Sequence, residues 1–249
     1  MNTPFNFRLT KFPNEAEILR HEVREFLSDA LKDIPKETRA ETWYGADENF
    51  SRKVGKKGWI GLNWPKEYGG AGRSSMERYV ILEEMLTAGA PVGAHWISDR
   101  QSGPLIIRYG SEKHQKELLP GILKGESYFC IGMSEPDSGS DLAALRTKAE
   151  KKGDKYIVNG TKLWTSGAHR CQYMIALFKT SQEEDRHGGF SQFIVDLSLP
   201  GVTIRPIIDL AGRHHFNEVI FEDVEVPEDM LIGTEGNGWN QVTAELALE

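Results

Sequence analysis

The sequence has little of what builds stapled folds or metal centres. Two cysteines, Cys130 and Cys171, occur in 249 residues, and such a pair makes neither a disulfide framework nor a metal site. Apolar runs long enough to cross a bilayer as a helix are missing. Residues 1–11 lack a charged start followed by a long apolar stretch, so no secretory signal is visible. Positive charge is in deficit, with 30 Lys and Arg against 37 Asp and Glu and a net charge of −7. That balance argues against a general binder of nucleic acid or anionic membrane. A glycine-rich dinucleotide loop, a phosphate loop, a His-Glu-x-x-His zinc motif and a Gly-x-Ser-x-Gly elbow are all lacking. Their absence leaves a Rossmann-type nicotinamide enzyme, a nucleotide hydrolase and a serine hydrolase unsupported.

What is present suffices for one large core or two modest ones, since 39% of the residues are hydrophobic. The chain is organised around residues 129–141, Phe-Cys-Ile-Gly-Met-Ser-Glu-Pro-Asp-Ser-Gly-Ser-Asp. Phe129, Ile131 and Met133 alternate with smaller neighbours, as in a strand with one buried face. Pro136 ends it, having no N–H and forcing Glu135 to be extended. The turn that follows carries short side chains, and Gly139 leaves room for a polar ligand. A second stretch, residues 161–167, is a strand ending in Trp164, Thr165, Ser166 and Gly167. Each alone reads as an ordinary turn.

Helical patterning fills the first half. Residues 14–32 read as an amphipathic helix capped by Asn14, and residues 47–57 as a weaker one. Residues 58–70 are rich in glycine and aromatics and read as packing between helices. Ser74 and Glu77 form a capping box. A helix is expected over about residues 95–108, where His95, Arg100 and Gln101 stand out and His95 is given no catalytic role. Another starts at Ser111 and is ended or kinked by Pro120. From Ser127 short β-type runs take over. Asn159-Gly160 reads as a type I′ turn joining residues 155–158 to 161–164. Further strands are expected at 173–178, 190–196, 202–207 and 218–222. His214 and His215 point to opposite faces of a strand and so read as structural rather than metal-binding. Helical spacing returns with Trp239, Val242 and Leu246.

Ser134-Glu135-Pro136-Asp137-Ser138-Gly139-Ser140-Asp141 followed by Trp164-Thr165-Ser166 resembles the signature of the acyl-CoA dehydrogenase family. Gly61-Leu62 with Pro65-Lys66-Glu67-Tyr68-Gly69-Gly70, and Phe221-Glu222-Asp223-Val224-Glu225-Val226-Pro227, resemble further segments of that family. The resemblance implies an α+β fold: an N-terminal all-α domain over residues 1–126, a β-barrel or sandwich middle domain over 127–234, and the start of a C-terminal helical bundle over 235–249. The chain ends mid-pattern. The expectation is a fragment, a shortened form or one piece of a larger assembly, with weak FAD retention and negligible turnover by itself.

The implied reaction is FAD-dependent α,β-dehydrogenation of an acyl-CoA thioester. A carboxylate takes the α-proton, flavin N5 takes the β-hydride, and hydrogen bonds polarise the thioester carbonyl. By resemblance Ile131, Gly132, Met133, Ser134, Gly139 and Ser140 line the flavin. Trp164 packs on the ring system beside Thr165, and Ser166 approaches N5. Ser140 also faces the pantetheine arm of the substrate. Glu249 is the candidate base, because residues 245–249 resemble the segment that carries this glutamate in some members. No metal is implied. The expected partners are an electron-transferring flavoprotein and further subunits in a homo- or hetero-oligomer, a dimer or tetramer. An acyl-CoA oxidase and a non-catalytic flavin- or CoA-binding subunit of a heteromer are the alternatives. A bacterial cytoplasm is the expected location, with mitochondrion and peroxisome as alternatives.

Overall fold

The structure is a computed structural model and describes residues 11–247. Six helices come first: α1 (Asn14–Ala30), α2 (Lys36–Ala40), α3 (Glu48–Lys56), α4 (Ser75–Thr87), α5 (Gly103–Tyr109) and α6 (Glu112–Leu123). Leu19, Val23 and Leu27 of α1 meet Ile81 and Met85 of α4, and this core extends over Phe50, Val54, Leu105 and Ile122. Trp59, Ile60, Leu62 and Trp64 of the aromatic loop are buried in it, as expected of a packing element. The capping box at Ser74 and Glu77 forms.

Three local readings change. Pro13 occupies the cap of α1, and Asn14 is its first helical residue. Pro120 lies inside α6, because Leu118, Leu119 and Ile122 bury one common face across it and that packing outweighs one lost hydrogen bond. The helix expected over 95–108 is interrupted by a π-helical turn, Ser98–Ser102, that runs into α5. Single π turns of this kind re-aim side chains and recur at functional positions. This one is fixed by its neighbours. Asp99 Oδ1 accepts from Gly61 N at 2.7 Å, Asp99 O accepts from Trp64 Nε1 at 3.2 Å, and Ser98 Oγ accepts from Phe129 N at 2.9 Å.

Seven strands follow: β1 (Phe129–Gly132), β2 (Lys148–Lys152), β3 (Lys155–Ser166), β4 (Tyr173–Lys179), β5 (Phe190–Asp196), β6 (Val202–Ile208) and β7 (His214–Pro227). One edge of β4 pairs with β5, antiparallel. The other pairs with β1, parallel, and then with β2 at Lys148↔Lys179. The ladder continues β2-β3-β7-β6. The sheet curls: Tyr156 on β3 meets Phe193 on β5 at 4.8 Å between ring centroids, and Phe178 on β4 meets Phe221 on β7 at 5.4 Å. Strands that are not neighbours in the ladder thus share one core, the arrangement of a barrel-like sheet. α7 (Gly238–Leu246) packs Val242 against Leu177 and Phe190.

Asn159-Gly160 is not a hairpin turn. β3 runs straight through it, and the hairpin lies between Lys152 and Lys155. The pair sits opposite a bulge in β7, where Val158↔Val224 gives way to Gly160↔Phe221. Asp223 there has φ 51°, and it exchanges two hydrogen bonds of 2.9 Å with the Asn159 amide. The bond that a turn would have made locally is therefore made across the ladder. β1 also departs from alternation: Phe129, Cys130 and Gly132 are buried while Ile131 is half-buried, because core lies on both its sides.

Candidate functional site

The turn after β1 is held by a residue to which sequence reasoning gave no role. Glu135 is buried. Its Oε1 accepts from Lys162 Nζ at 2.9 Å and from Thr147 N at 3.0 Å, and its Oε2 accepts from Arg146 N at 2.6 Å. Lys162 Nζ donates also to Met133 O at 2.9 Å. Burial pushes the Glu135 carboxyl up, but Lys162 and the donors of Thr147 and Arg146 outweigh it and leave the group below its ordinary value. Burial pushes the Lys162 ammonium down to about 8 against the pull of Glu135. One carboxylate thus ties the end of β1, the middle of β3 and the start of β2 together. The signals that could have found it are a lysine inside a strand and an acid fixed by the following proline.

Ser134 O accepts from Leu163 N at 2.8 Å, which brings the two expected stretches side by side. Beyond that bond β3 bulges: Lys162 pairs with Val219, and Thr165 pairs with Asn217. Trp164 sits on the bulge with φ 61°, and its indole is 56% exposed. A tryptophan held in the left-handed region costs about 1–3 kcal/mol, and here the strain presents an aromatic face to the outside. Thr165 is buried, and its Oγ1 has no hydrogen-bond partner among the described residues. Ser134 and Met133 are half-buried, whereas Gly139 and Ser140 are exposed. A Cβ on Gly139 would meet nothing within 4 Å. Gly132 is buried, and a Cβ there would overlap Met174, so its smallness is needed by the core.

Ser166 opens onto a cavity of about 520 Å³ between the helical layer and the sheet. Trp43, Tyr44, Trp96, Ile97, Arg100 and Gln101 line it from the helices, and Phe129, Gly167, His169, Arg170, Cys171 and His215 from the sheet. The wall is largely aromatic. Trp43 lies 4.1 Å from Tyr44 and 5.9 Å from Trp96, Tyr44 lies 4.7 Å from His215, and Arg100 stacks over Trp96 at 4.7 Å. Tyr44 also reaches Phe216 at 6.3 Å, and Phe216 reaches Trp164 at 6.0 Å. The ring surface therefore runs unbroken from the cavity to the exposed indole.

Asn217 organises the sheet side of this wall. Its Nδ2 donates to Thr165 O at 3.0 Å, so Oδ1 is the acceptor for His169 Nδ1 at 3.2 Å and His214 Nε2 at 2.7 Å. The two imidazoles stack at 3.7 Å. His169 Nε2 then accepts from Arg170 Nε at 3.0 Å. His169 is exposed at one face, and partial desolvation, followed by the neighbouring His214 and Arg170, pushes it down to about 4, in keeping with a neutral ring that donates at one nitrogen and accepts at the other. His214 and His215 do face different surroundings. Glu249, the candidate base, lies outside the described residues; the last described helix, α7, is buried through Gln241, Val242 and Glu245.

Two family models match this chain, described as the acyl-CoA dehydrogenase N-terminal domain over residues 13–126 and the acyl-CoA dehydrogenase middle domain over residues 130–224. Acyl-CoA dehydrogenase FadE29 of Mycobacterium tuberculosis is 39% identical over 233 residues, which are 93% of this chain and 60% of that protein. Among solved structures, the Tcur3481-Tcur3483 steroid ACAD superposes with a TM-score of 0.86 at 33% identity, over 95% of this chain and 61% of that one. The ChsE4-ChsE5 complex of Mycobacterium tuberculosis gives 0.86 at 34%, over 97% and 62%. The chain thus spans about 60% of the length of the curated relatives it matches.

Proposed function

The chain belongs to the acyl-CoA dehydrogenase family, and from that premise we propose that it serves the FAD-dependent α,β-dehydrogenation of an acyl-CoA thioester. The observation that carries the proposal is the continuity of Trp164 and Ser166 with the cavity: a site for a flat cofactor opens directly onto a space for an acyl group. The residues fit the flavin. An exposed indole held in a strained backbone, a buried Thr165 hydroxyl without a partner among the described residues and the open approach at Gly139 are what a large ring system with polar edges requires. When bound, FAD supplies the acceptor for the β-hydride.

The chain's own residues do the rest. Trp164 covers the ring system, and Ser134 and Ser166 offer hydroxyls to its polar edge. Ile131 and Met133 supply apolar contact, and Ser140 faces the pantetheine arm. The Glu135–Lys162 pair holds these stretches in register, so binding finds them preorganised. Glu249 removes the α-proton. The cavity of about 520 Å³ favours a bulky acyl group, and the steroid ACAD among the similar structures supports that reading. Electrons then pass to an electron-transferring flavoprotein, in a bacterial cytoplasm.

The test is the visible spectrum of the purified protein before and after anaerobic addition of an acyl-CoA panel. Oxidised-flavin bands that bleach are expected of the full-length protein, and weak flavin retention without bleaching of residues 1–249 alone. A full-length protein that takes up no flavin even with added FAD overturns the proposal. In the full-length protein Glu249→Gln is expected to keep flavin and lose turnover. One second reading has its own support: a subunit of a hetero-oligomer, since a similar structure is a complex of two differently named proteins. Native mass spectrometry separates it from a homo-oligomer.

A further inference from the structure

We propose that Asn217 is the positioning residue for the Trp164 indole: from β7 it holds the bulge of β3 on which Trp164 is presented to the flavin. The inference rests on the flavin reading above and adds to it the residue through which the neighbouring strand acts.

Three observations carry it. The first is where the ladder breaks. β3 and β7 pair at Lys162↔Val219 and again at Thr165↔Asn217, so Leu163 and Trp164 together face the single residue Glu218. The bulge re-aims the side chain and leaves Trp164 at φ 61°. A tryptophan keeps that conformation where its surroundings over-determine it.

The second is what surrounds the bulge. On its near side Lys162 Nζ is bound to Glu135 and to Met133 O, and Leu163 N donates to Ser134 O at 2.8 Å. On its far side Asn217, a fully buried residue, donates from Nδ2 to Thr165 O at 3.0 Å. That bond ties down the carbonyl of the residue next to Trp164. Without it a buried carbonyl loses a donor, and the backbone at Trp164 is released to relax towards ordinary extended values.

The third is how the rest of β7 is used. Asn217 Oδ1 accepts from His214 Nε2 at 2.7 Å and from His169 Nδ1 at 3.2 Å. His214 is half-buried and His169 exposed, and both act here by geometry. With its acceptor positions filled, the amide is held against flipping, and Nδ2 stays turned to Thr165 O. Phe216, the residue before Asn217, meets the Trp164 indole at 6.0 Å between centroids and 83° between planes. β7 therefore sets both the backbone and the ring of Trp164. A ring held in place beforehand loses less freedom on binding, and one that is in place only part of the time binds more weakly by that fraction.

The experiment is titration of the flavin-free, full-length protein with FAD, followed by visible absorbance, in four forms: wild type, Asn217→Leu, Trp164→Gly and the double variant. Leucine keeps the branched shape and removes all three hydrogen bonds. Asn217→Leu is expected to bind FAD about tenfold more weakly than the wild type. Between Trp164→Gly and the double variant the further loss is expected to be less than about threefold, because no indole is left to position. A loss of the same size in both backgrounds overturns the inference, by assigning Asn217 to the fold at large, and so does an unchanged FAD affinity. Asn217→Asp keeps the acceptor for both imidazoles and lacks the Nδ2 donor. It is expected to weaken FAD binding in the same indole-dependent way, and it carries the test if the leucine variant does not fold. Wild-type affinity in Asn217→Asp overturns the inference, since the bond to Thr165 O is then without effect. In each of these cases the wild type still binds FAD and the flavin reading stands. If the wild type takes up no FAD, the flavin reading fails and this one with it.

Discussion

Lys162 Nζ lies 2.9 Å from Glu135 Oε1, with the lysine side chain fully buried and the glutamate side chain 6% exposed. This pair locks the Ser-Glu-Pro turn to the strand that carries Trp164. Removing the ammonium leaves a buried carboxylate whose remaining donors are backbone N–H groups. Lys162→Met is expected to lower the unfolding free energy by about 3–5 kcal/mol and to weaken flavin uptake in proportion. Urea denaturation measures the first, and a loss below about 1 kcal/mol would show that the pair is ornamental.

Trp164 separates stability from binding. Trp164→Gly relieves the positive φ and removes a largely exposed side chain, so the melting temperature is expected to hold or rise. Flavin retention is expected to fall sharply. A variant that melts well below the wild type yet retains flavin would assign the indole to the fold instead.

Thr165→Val tests the orphan hydroxyl. The shapes match, and the lost Oγ1 has no partner among the described residues, so the protein without flavin should be equally stable or more so. FAD titration should show weaker binding. Unchanged FAD affinity removes Thr165 from the cofactor site.

Acid lability should begin above the carboxylate range. Burial pushes His95, hydrogen-bonded to Ser51, down to about 4 from 6.5. Between those values the unfolded chain holds a proton that the folded chain refuses, so stability falls as pH drops through this window, by roughly 3 kcal/mol at most from His95, and the lowered His114 and His169 add to the same slope. Glu84, held by Arg24 and Arg20, lies below its ordinary 4.5, as does Glu135. Their contributions are present above the unfolded value and are lost at still lower pH. Denaturation midpoints from pH 7 to pH 4.5 measure the slope. His95→Asn should make its upper part shallower, and a flat profile in the wild type would refute the assignment.

Gly160 has φ 144°, and a Cβ there would come within 2.5 Å of Thr147 Oγ1 and 2.7 Å of Thr147 Cα. Gly160→Ala is therefore expected to cost about 1–3 kcal/mol, read as a lower melting temperature. No change would mean that β2 moves aside freely.

The sequence alone determined the features that depend on near neighbours in the chain. Apolar spacing marked α1, α3, α4 and the runs of β4, β5 and β6. Ser74 and Glu77 announced their capping box, and Trp164 and Ser166 were marked out as a pair before any geometry was known. Other features depend on what lies across the ladder or between layers, and only the tertiary structure decided those. Asn159-Gly160 has the composition of a turn and became a bulge partner, because Asp223 supplied from β7 the hydrogen bonds that a turn would have made locally. β2 is nearly all charged, so no hydrophobic period revealed it; pairing with β3 is what makes it a strand. The π turn at 98–102 arises from the hold of Gly61 and Trp64 on Asp99, contacts 35 or more residues apart in the chain. Glu135 and Lys162 are 27 residues apart, and neither had a local reason to be buried. Helix periodicity and caps are short-range and are written in consecutive residues. Ladder register, buried charge pairs and cavities are set by which distant groups satisfy one another once water is excluded.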